Sequence, residues 1–325
     1  MTGHFTDQLR LPVVCAPMFL VSGPELVIAA CKAGIAGAFP TTNARTTADL
    51  DAWMGTITGA LRPGDGPWIA NLITHSTNAA LPDHLALIAE YKPPVVITAL
   101  GSPRPVMEVV KSYGGQVVAD VVNLKLARKA ADAGVDGMAC ISAGAGGHTG
   151  HLSPFAFISA IRDFFDGLIA VGGGISDGAG VAGAIAAGAD AVYMGTRFLP
   201  TRESRAQQGY KDMVIAAGAD DLVVSDAITG TPASWLRDSL RAGGYDPDAP
   251  GAAVARNYSG EQARRWRDIW AAGQGVGRSR EEEPVAQVVE TLAREYAAAA
   301  ARFQALTGPA RPAAKTSDRR KAYSA

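Results

Sequence analysis

The sequence predicts a closed (β/α)₈ barrel, the TIM-barrel architecture, followed by a mostly helical C-terminal extension. A helical pattern that ends in Ala-Gly and leads into a short apolar run recurs at Gly34, Gly134 and Gly188. Glycine suits a left-handed helix C-cap, and the apolar runs lack the polar alternation of a half-exposed strand, so strands buried on both faces are expected. Eight such strands alternate with seven helical patterns in under 200 residues. That alternation fits a closed barrel better than an open doubly wound sheet, which remains the alternative.

The elements follow one another at regular intervals along the chain. The predicted strands are Val13–Met18, Ala36–Phe39, Trp68–Asn71, Val95–Thr98, Gln116–Val121, Gly137–Ile141, Leu168–Val171 and Ala191–Met194. The predicted helices are Pro24–Ala33, Thr47–Ala60, Asp83–Tyr91, Pro103–Ser112, Asn123–Ala133, Pro154–Phe165 and Asp177–Ala187. A fourth Ala-Gly copy at 217–224 is placed after the barrel, because the phosphate-type loops already occur before it.

Four segments are expected. Residues 1–203 form the barrel, and residues 204–277 form a helical extension over the active site, with aromatic helices around Trp235 and Trp266–Trp270. These tryptophans would either cover the barrel or face a second copy in a homodimer. Residues 278–307 form a helix that packs back on the barrel, with its apolar pattern running over Val285–Phe303. Residues 308–325 are rich in Pro, Ala, Lys and Arg without an apolar period, and a solvated, disordered tail is expected.

Charge and composition limit the classes of partner and the cellular compartment that the sequence favours. The net charge of −1 gives no electrostatic reason to expect nucleic acid or an anionic membrane. No apolar run reaches the roughly 18 residues that cross a bilayer, and the N-terminus lacks the order of a signal peptide. The cysteines Cys15, Cys31 and Cys140 form no CxxC pair and are read as reduced, buried residues. A cytoplasmic protein is expected.

The loop Ser142–Ser153 carries the strongest functional signal. It is rich in glycine and holds His148 and His151, and glycine costs roughly 0.5–1 kcal/mol in regular structure, so a close backbone approach to a ligand is indicated. Histidine exchanges protons near neutral pH. A metal site is the weaker interpretation, because no third ligand stands at a recognisable spacing, and a loop-fixing role remains open for both histidines.

Two further loops predict a phosphate site. Gly172–Gly174 follows the seventh strand and leads into a helix for which Ser176 or Asp177 is a plausible N-cap, and Gly195–Thr196 is expected to open a helix after the eighth strand. Free N–H groups at a helix start favour a phosphate, and barrels often bind one at these two loops. The alternative is that the glycines only make tight turns.

Most other strand ends also carry small or polar groups, which marks this end of the barrel as a ligand site. His75 is read either as a surface loop residue or as a pocket wall. His4 and His84 are expected at the surface.

With these residues in view, the chain resembles the nitronate monooxygenase family, formerly called 2-nitropropane dioxygenases, which are FMN-dependent barrel enzymes. The resemblance covers about residues 11–305. It rests on Ala16-Pro-Met18, Asn71, Ala145-Gly-Gly-His148-Thr-Gly150, Gly172-Gly-Gly-Ile-Ser-Asp-Gly178, Gly188-Ala-Asp-Ala-Val-Tyr-Met-Gly-Thr-Arg-Phe198 and Gly273-Gln-Gly-Val-Gly277.

The resemblance implies a set of roles. His148 would sit over the isoalloxazine ring as the catalytic residue, Met18 and Asn71 would contact the flavin, and Gly173, Gly174, Gly195 and Thr196 would hold its phosphate. The full candidate cofactor-binding set is Ala16, Met18, Asn71, Asp120, Ala145, Gly146, Gly147, Gly172, Gly173, Gly174, Gly195 and Thr196. The candidate substrate pocket is Phe19, His75 and His151.

The chain departs from better-known members at two strand ends. Asp120 ends the fifth strand where those members commonly carry a lysine, and Ile141-Ser142 stands where an acidic residue is common. A lysine near the flavin would favour negative charge on the reduced ring, whereas an aspartate would not. A divergent subgroup is expected.

The resemblance favours oxidation of small alkyl nitronates or nitroalkanes by dioxygen to a carbonyl compound and nitrite. The second hypothesis is an FMN- and NAD(P)H-dependent enoyl-thioester reductase of the same superfamily. The third, from a different class, is a non-catalytic flavin-binding barrel. Nucleotide-dehydrogenase barrels need a nucleophilic cysteine in the loop after the sixth strand, and Cys140 precedes that loop.

Overall fold

A computed structural model describes residues 4–254 and 266–307 and places eight parallel strands in a closed barrel. The barrel strands, in their order around it, are β1 (Val13–Cys15), β2 (Ala36–Pro40), β3 (Trp68–Ile73), β4 (Val95–Ala99), β5 (Gln116–Val121), β6 (Gly137–Ile141), β8 (Leu168–Gly172) and β9 (Ala191–Met194). Strand β9 closes the ring against β1, with Val14 opposite Tyr193. The predicted fold class is confirmed.

Seven helices connect these strands and cover the outside of the barrel. They are α1 (Pro24–Lys32), α2 (Thr47–Ala60), α3 (Leu81–Tyr91), α4 (Arg104–Ser112), α5 (Leu124–Ala133), α6 (Pro154–Arg162) and α7 (Gly178–Ala186). Their starts are encoded locally: Thr46 and Asp49 form a capping box before α2, while Asn123, Ser153 and Asp177 cap α5, α6 and α7.

The predicted element boundaries differ from the structure by a few residues at most. Strands β5, β6 and β9 and helix α2 have the predicted bounds. Strand β1 ends at Cys15 instead of Met18, because Pro17 has no N–H for the ladder and Met18 N donates to Ser22 Oγ at 2.9 Å. Ala16 N still donates to Met194 O at 2.9 Å, and the chain leaves the barrel ladder after this residue.

Side chains alternate between the helices and the barrel lumen. The apolar lumen side chains are Phe5, Val14, Ala36, Ala38, Ile69, Val95, Ile97, Val118, Ala139, Leu168, Ala170 and Ala191. Phe5 belongs to a 3₁₀ turn whose backbone N–H donates to Gln116 Oε1 at the start of β5. This turn covers the N-terminal end of the barrel.

The extension after the barrel contains strands as well as helices. Helix α8 (Gln208–Ala216) is followed by β10 (Leu222–Ser225), β11 (Ala233–Leu236) and α9 (Arg237–Ala242). Strand β11 pairs antiparallel with β10 and with β7 (Gly147–His148), a short strand in the loop after β6. The Ala-Gly copy at 217–224 therefore lies outside the barrel, as predicted. The helix predicted around Trp235 is wrong, because this residue lies in β11, whose partner β7 is remote in sequence.

The last described element is α10 (Val285–Thr307), which packs on α7 and α1. It begins at the predicted residue and runs four residues beyond Phe303. Val285, Val288, Val289 and Leu292 join the core between the barrel and its helices. The expected tail at 308–325 lies outside the described residues.

Three other expectations from the sequence can be compared with the structure. All three cysteines are free and buried, as predicted. His84 is buried rather than at the surface, because α3 turns this side chain toward the barrel. Among the helices of residues 4–254 and 266–307, none has the length and apolar character to cross a membrane.

Candidate active site

The glycine-rich loop after β6 is held against the neighbouring strand end by its own hydrogen bonds. Ser142 N donates to Gly172 O at 2.8 Å, which joins the ends of β6 and β8. Thr149 Oγ1 and Gly150 N donate back to Ser142 O at 3.1 and 3.3 Å. The loop is thus a closed structure with Gly144–His148 at its outer turn.

A three-stranded sheet, which we call the lid sheet (β10, β11 and β7), carries His148. In it His148 stands opposite Ala233, and Thr149 N donates to Pro232 O at 3.1 Å. The His148 imidazole meets the Trp266 ring edge to face, at 83° and 5.2 Å between centroids. Trp266 packs in turn on Trp235 at 4.6 Å. Aromatic contacts of this kind fix ring orientation, so the imidazole is preorganised.

The segment Ala272–Gln274 lies across the glycine-rich loop and the end of β9. Gln274 N donates to Gly144 O at 2.8 Å, and Gly273 N donates to Thr196 Oγ1 at 2.9 Å. A Cβ on Gly146 would lie 2.6 Å from Gly273 N, a separation that real Cβ atoms do not show. The close packing therefore requires glycine at position 146.

Three polar side chains enter the upper lumen, and we call Asn71, Asp120 and Tyr193 the lumen triad. Asn71 and Asp120 share the inward-facing register of Ile69 and Val118, and Tyr193 packs on the lumen cluster. In the described part of the chain, Asn71 Nδ2, Asp120 Oδ1 and Tyr193 OH are buried without a hydrogen-bond partner. An unsatisfied buried group costs about 1–3 kcal/mol, so this layer is suited to a polar ligand.

Burial controls the charge of this layer. It raises the pKa of the Asp120 carboxyl to about 7. Burial also raises the pKa of Tyr193 well above its usual value, with a smaller contribution from Asp120. At mildly acidic pH the lumen triad is therefore neutral.

The two predicted phosphate loops differ from the expectation in detail. Gly173 has φ +143°, a conformation that favours glycine, and its missing Cβ would meet Ala143 O at 2.6 Å. Asp177 is the N-cap of α7, as one of the two candidates predicted. However, Gly178 N donates to Glu295 Oε2 at 2.9 Å and Gly180 N donates to Asp177 Oδ1 at 2.7 Å. Carboxylates thus already occupy these amides of the helix start.

The loop after β9 does not open a helix, so this part of the prediction is wrong. Phe198 N donates to Gly195 O and Leu199 N to Thr196 O, which makes successive turns, and α8 begins only at Gln208. The buried Arg197 guanidinium leaves the turn to bind Ser279 Oγ at 3.0 Å and Glu283 Oε2 at 2.8 Å. Pro200 also disfavours helical backbone at the residue before it.

The remaining predicted residues divide into two groups. Met18 lies beside Gly195, with its sulfur 3.4 Å from the position of a Cβ there, and Ala16 is buried at the same rim. His75 bonds Thr77 Oγ1 through Nδ1 at 2.8 Å, Phe19 is 38% exposed, and His151 is exposed. The structure therefore gathers the cofactor candidates at one rim and leaves these pocket candidates nearer to solvent.

Sequence reasoning gave no individual role to Tyr193 or Gln274, although both lie in motifs of the resemblance, and it placed Trp266 only in a helix that would cover the barrel or face a second copy. Tyr193 could have been identified from the sequence, because it stands two residues after Ala191 in β9 and therefore shares its inward-facing side of the strand. Gly174 shows the reverse case, since its N–H, predicted for phosphate, donates to Gly144 O at 3.1 Å. Within the described ranges no group of three or more His, Cys, Asp or Glu side chains is placed to hold a metal ion.

Comparison with known proteins finds relatives in sequence and in fold. The chain is 31% identical over 229 residues to (3aS,4S,5R,7aS)-5-hydroxy-7a-methyl-1-oxo-octahydro-1H-indene-4-carboxyl-CoA dehydrogenase of Rhodococcus jostii, covering 70% of this chain and 63% of that relative. It is 30% identical over 285 residues to a nitronate monooxygenase of Paraburkholderia phytofirmans, covering 75% and 78%. The structure of FabK from Thermotoga maritima matches with a TM-score of 0.76 at 26% identity, covering 93% and 98%.

The family comparison covers most of the site, from Asn71 onward. The sequence model of the nitronate monooxygenase family matches residues 70–295, from β3 through the lid sheet to α10. Members of this family are flavin oxidoreductases built on the same barrel. From the closed barrel, the His148 loop and this match, we conclude that the chain belongs to the nitronate monooxygenase family.

Proposed function

We propose that the protein is an FMN-dependent enzyme that oxidises small alkyl nitronates or nitroalkanes with dioxygen to a carbonyl compound and nitrite. The observations that carry the proposal are His148, held by the lid sheet and Trp266 in the loop after β6, and the polar groups of the lumen triad that no described residue satisfies. Family membership and the nitronate monooxygenase relative support the same reaction.

The residues present suit a flavin. Its ring has carbonyl and N–H groups that match the orphaned atoms of the lumen triad, and Met18 offers an apolar contact at the rim. Gly173, Gly195 and Thr196 lie at the neighbouring strand ends and would hold a single phosphate. When bound, FMN supplies the electron acceptor that passes electrons from the substrate to dioxygen.

His148 would act on the substrate in one of two ways. Its imidazole can accept the acidic α-proton of a neutral nitroalkane, or it can donate a hydrogen bond to the nitro oxygens. A nitronate has already lost the α-proton and needs only the second role. Comparing turnover of the neutral nitroalkane with turnover of the nitronate therefore distinguishes the role of His148 as a base from its role as a hydrogen-bond donor.

The test is an aerobic assay of oxygen uptake and nitrite release with propyl-2-nitronate and with neutral 2-nitropropane, without NAD(P)H. We expect His148→Ala to lower kcat/KM for the neutral nitroalkane by about 10²–10⁴-fold, because general base catalysis contributes that much. His148→Asn, which keeps a donor, should retain more nitronate turnover than His148→Ala. His4→Ala is the matched control, because His4 is exposed and lies outside the site.

Flavin content, read from the visible spectrum, should be unchanged in all three variants. Equal turnover of both substrates by wild type and His148→Ala would contradict the proposal for His148. A protein that takes up no FMN would contradict the flavin chemistry as a whole.

A second candidate is an FMN- and NAD(P)H-dependent enoyl-thioester reductase. The printed name of the Rhodococcus jostii relative describes a dehydrogenase of a CoA thioester, and FabK has the same fold as this chain. Stopped-flow mixing with NADPH distinguishes the candidates. Rapid bleaching of the flavin by NADPH, with no oxygen uptake on propyl-2-nitronate, would favour the reductase.

A further inference from the structure

The lumen triad has more polar groups than the described residues of the protein satisfy. Asn71 Nδ2 is a donor, Tyr193 OH is a donor or acceptor, and Asp120 Oδ1 is an acceptor or, when protonated, a donor. They come from β3, β9 and β5, so they face one another from different sides of the lumen. A bound group between them would need to offer both acceptors and donors.

Among the described residues, no cation compensates the charge of the Asp120 carboxylate. No ion pair to Asp120 is found in the described part of the chain, and the adjacent lumen side chains Val118, Ala139 and Ala170 are apolar. The titratable groups that act on it are Tyr193 from β9 and Cys140 from β6, and burial raises the pKa of both. Both stay neutral where Asp120 itself ionises.

We propose that Asp120 enters the flavin site as a neutral carboxylic acid that donates its proton in a hydrogen bond to a carbonyl oxygen or ring nitrogen of the isoalloxazine. This inference rests on the proposed FMN site. Loss of the proton turns the donor into a buried anion that faces the acceptor atoms of the ring. Ionisation of Asp120 therefore weakens flavin binding, and the chain holds its cofactor best at mildly acidic pH.

The experiment measures the FMN dissociation constant of the deflavinated protein between pH 5.5 and 8.5, for wild type and Asp120→Asn. Asparagine has the same shape, always donates and never ionises. The phosphate of FMN, with a second pKa of about 6, also titrates in this range. The phosphate and every other ionisable group of the chain are common to the two proteins, so the ratio of their dissociation constants isolates Asp120.

We expect the ratio of wild-type to Asp120→Asn dissociation constants to rise from about 1 at pH 5.5 to 10 or more at pH 8.5. Asp166→Asn, at an exposed aspartate outside the site, should match wild type at every pH. A ratio that stays constant with pH would overturn the proposal. If Asp120→Asn does not fold, Asp120→Ser, which cannot ionise either, takes its place, and a ratio of wild-type to Asp120→Ser dissociation constants that stays constant with pH overturns the proposal.

These outcomes are separable from those of the proposed reaction. If FMN binds with the expected pH dependence but propyl-2-nitronate is not oxidised, the nitronate reaction fails and the role of Asp120 stands. If nitronate is oxidised and the ratio is flat, the reaction stands and the role of Asp120 fails. A chain that binds no FMN contradicts both.

Discussion

His84 shows at the residue scale how a single side chain links pH to folding. It is 6% exposed on α3, and its Nδ1 has no hydrogen-bond partner among the residues that the structure describes. Burial lowers its pKa from the usual value, and the nearby Asp83 offsets this only in part. Below pH 6.5 the unfolded chain takes up a proton at this position that the folded chain resists.

The free energy of unfolding should therefore fall as the pH falls below about 6.5, by at most about 1.4 kcal/mol per pH unit from this residue. His84→Leu should remove this component, and His4→Leu should leave it in place. Urea denaturation at pH 7.5 and 5.5 measures it. The same loss on acidification in His84→Leu and wild type would show that other groups cause it.

At the scale of elements, the site depends on loops that pack on one another rather than on the barrel strands alone. The lid sheet places His148, and Ala272–Gln274 bridges Gly144 and Thr196. The contact between Gly146 and Gly273 leaves no space for a side chain. We call Ala272–Gln274 the bridge, and this packing means that a side chain added at Gly146 would displace it.

Gly146→Ala should displace Ala272–Gln274 and lower the flavin content of the purified protein by at least several-fold. Gly59→Ala is the control, because a Cβ on Gly59 in α2 meets no atom within 4 Å and alanine favours a helix by about 0.5–1 kcal/mol. Absorbance near 450 nm and a thermal melt measure both effects. Full flavin content in Gly146→Ala would mean that the bridge is not needed for binding.

Local patterns predicted the barrel elements well and the lid sheet poorly. The apolar runs and capping residues lie within each element, so β5, β6, β9 and α2 could be placed from the sequence. Strand β7 has only two residues, and it forms because β11 pairs with it from far along the chain. The pairing of β11 with a segment so remote in sequence has no local signal, and Trp235 was therefore predicted to lie in a helix.

The candidate site was predictable to a similar extent. Glycine and histidine in one loop indicated His148 and its neighbours, and the strand ends indicated Asn71 and Asp120. Tyr193 has a side chain that is common in any core, so only its inward register marks it. The capture of the α7 amides by Glu295 depends on tertiary packing and has no local signal.

At the scale of the whole molecule, α10 completes the core. Four of its apolar side chains, Val285, Val288, Val289 and Leu292, are buried against the barrel helices. Full burial of each contributes roughly 1.5–3 kcal/mol, so together they rival the 5–15 kcal/mol that stabilises a typical protein. The end of α10 beyond Ala301 is exposed.

Two truncations test this division. Ending the chain before Gly308 should leave the melting temperature and the flavin content unchanged. Ending it before Val285 should abolish cooperative unfolding, because the barrel would expose the apolar groove that α10 fills. Loss of flavin from the chain that ends before Gly308 would show that the residues after Thr307 contribute to the site.

The position of Ala272–Gln274 in the chain has a consequence for biosynthesis. All eight barrel strands, from Val13 to Met194, leave the ribosome before this segment is made. The barrel can close while the chain is still being translated, but the bridge over Gly144 and Thr196 forms only after Gln274 has been made. The proposed cofactor is then acquired by a nascent barrel before the bridge forms, or later through movement of the bridge.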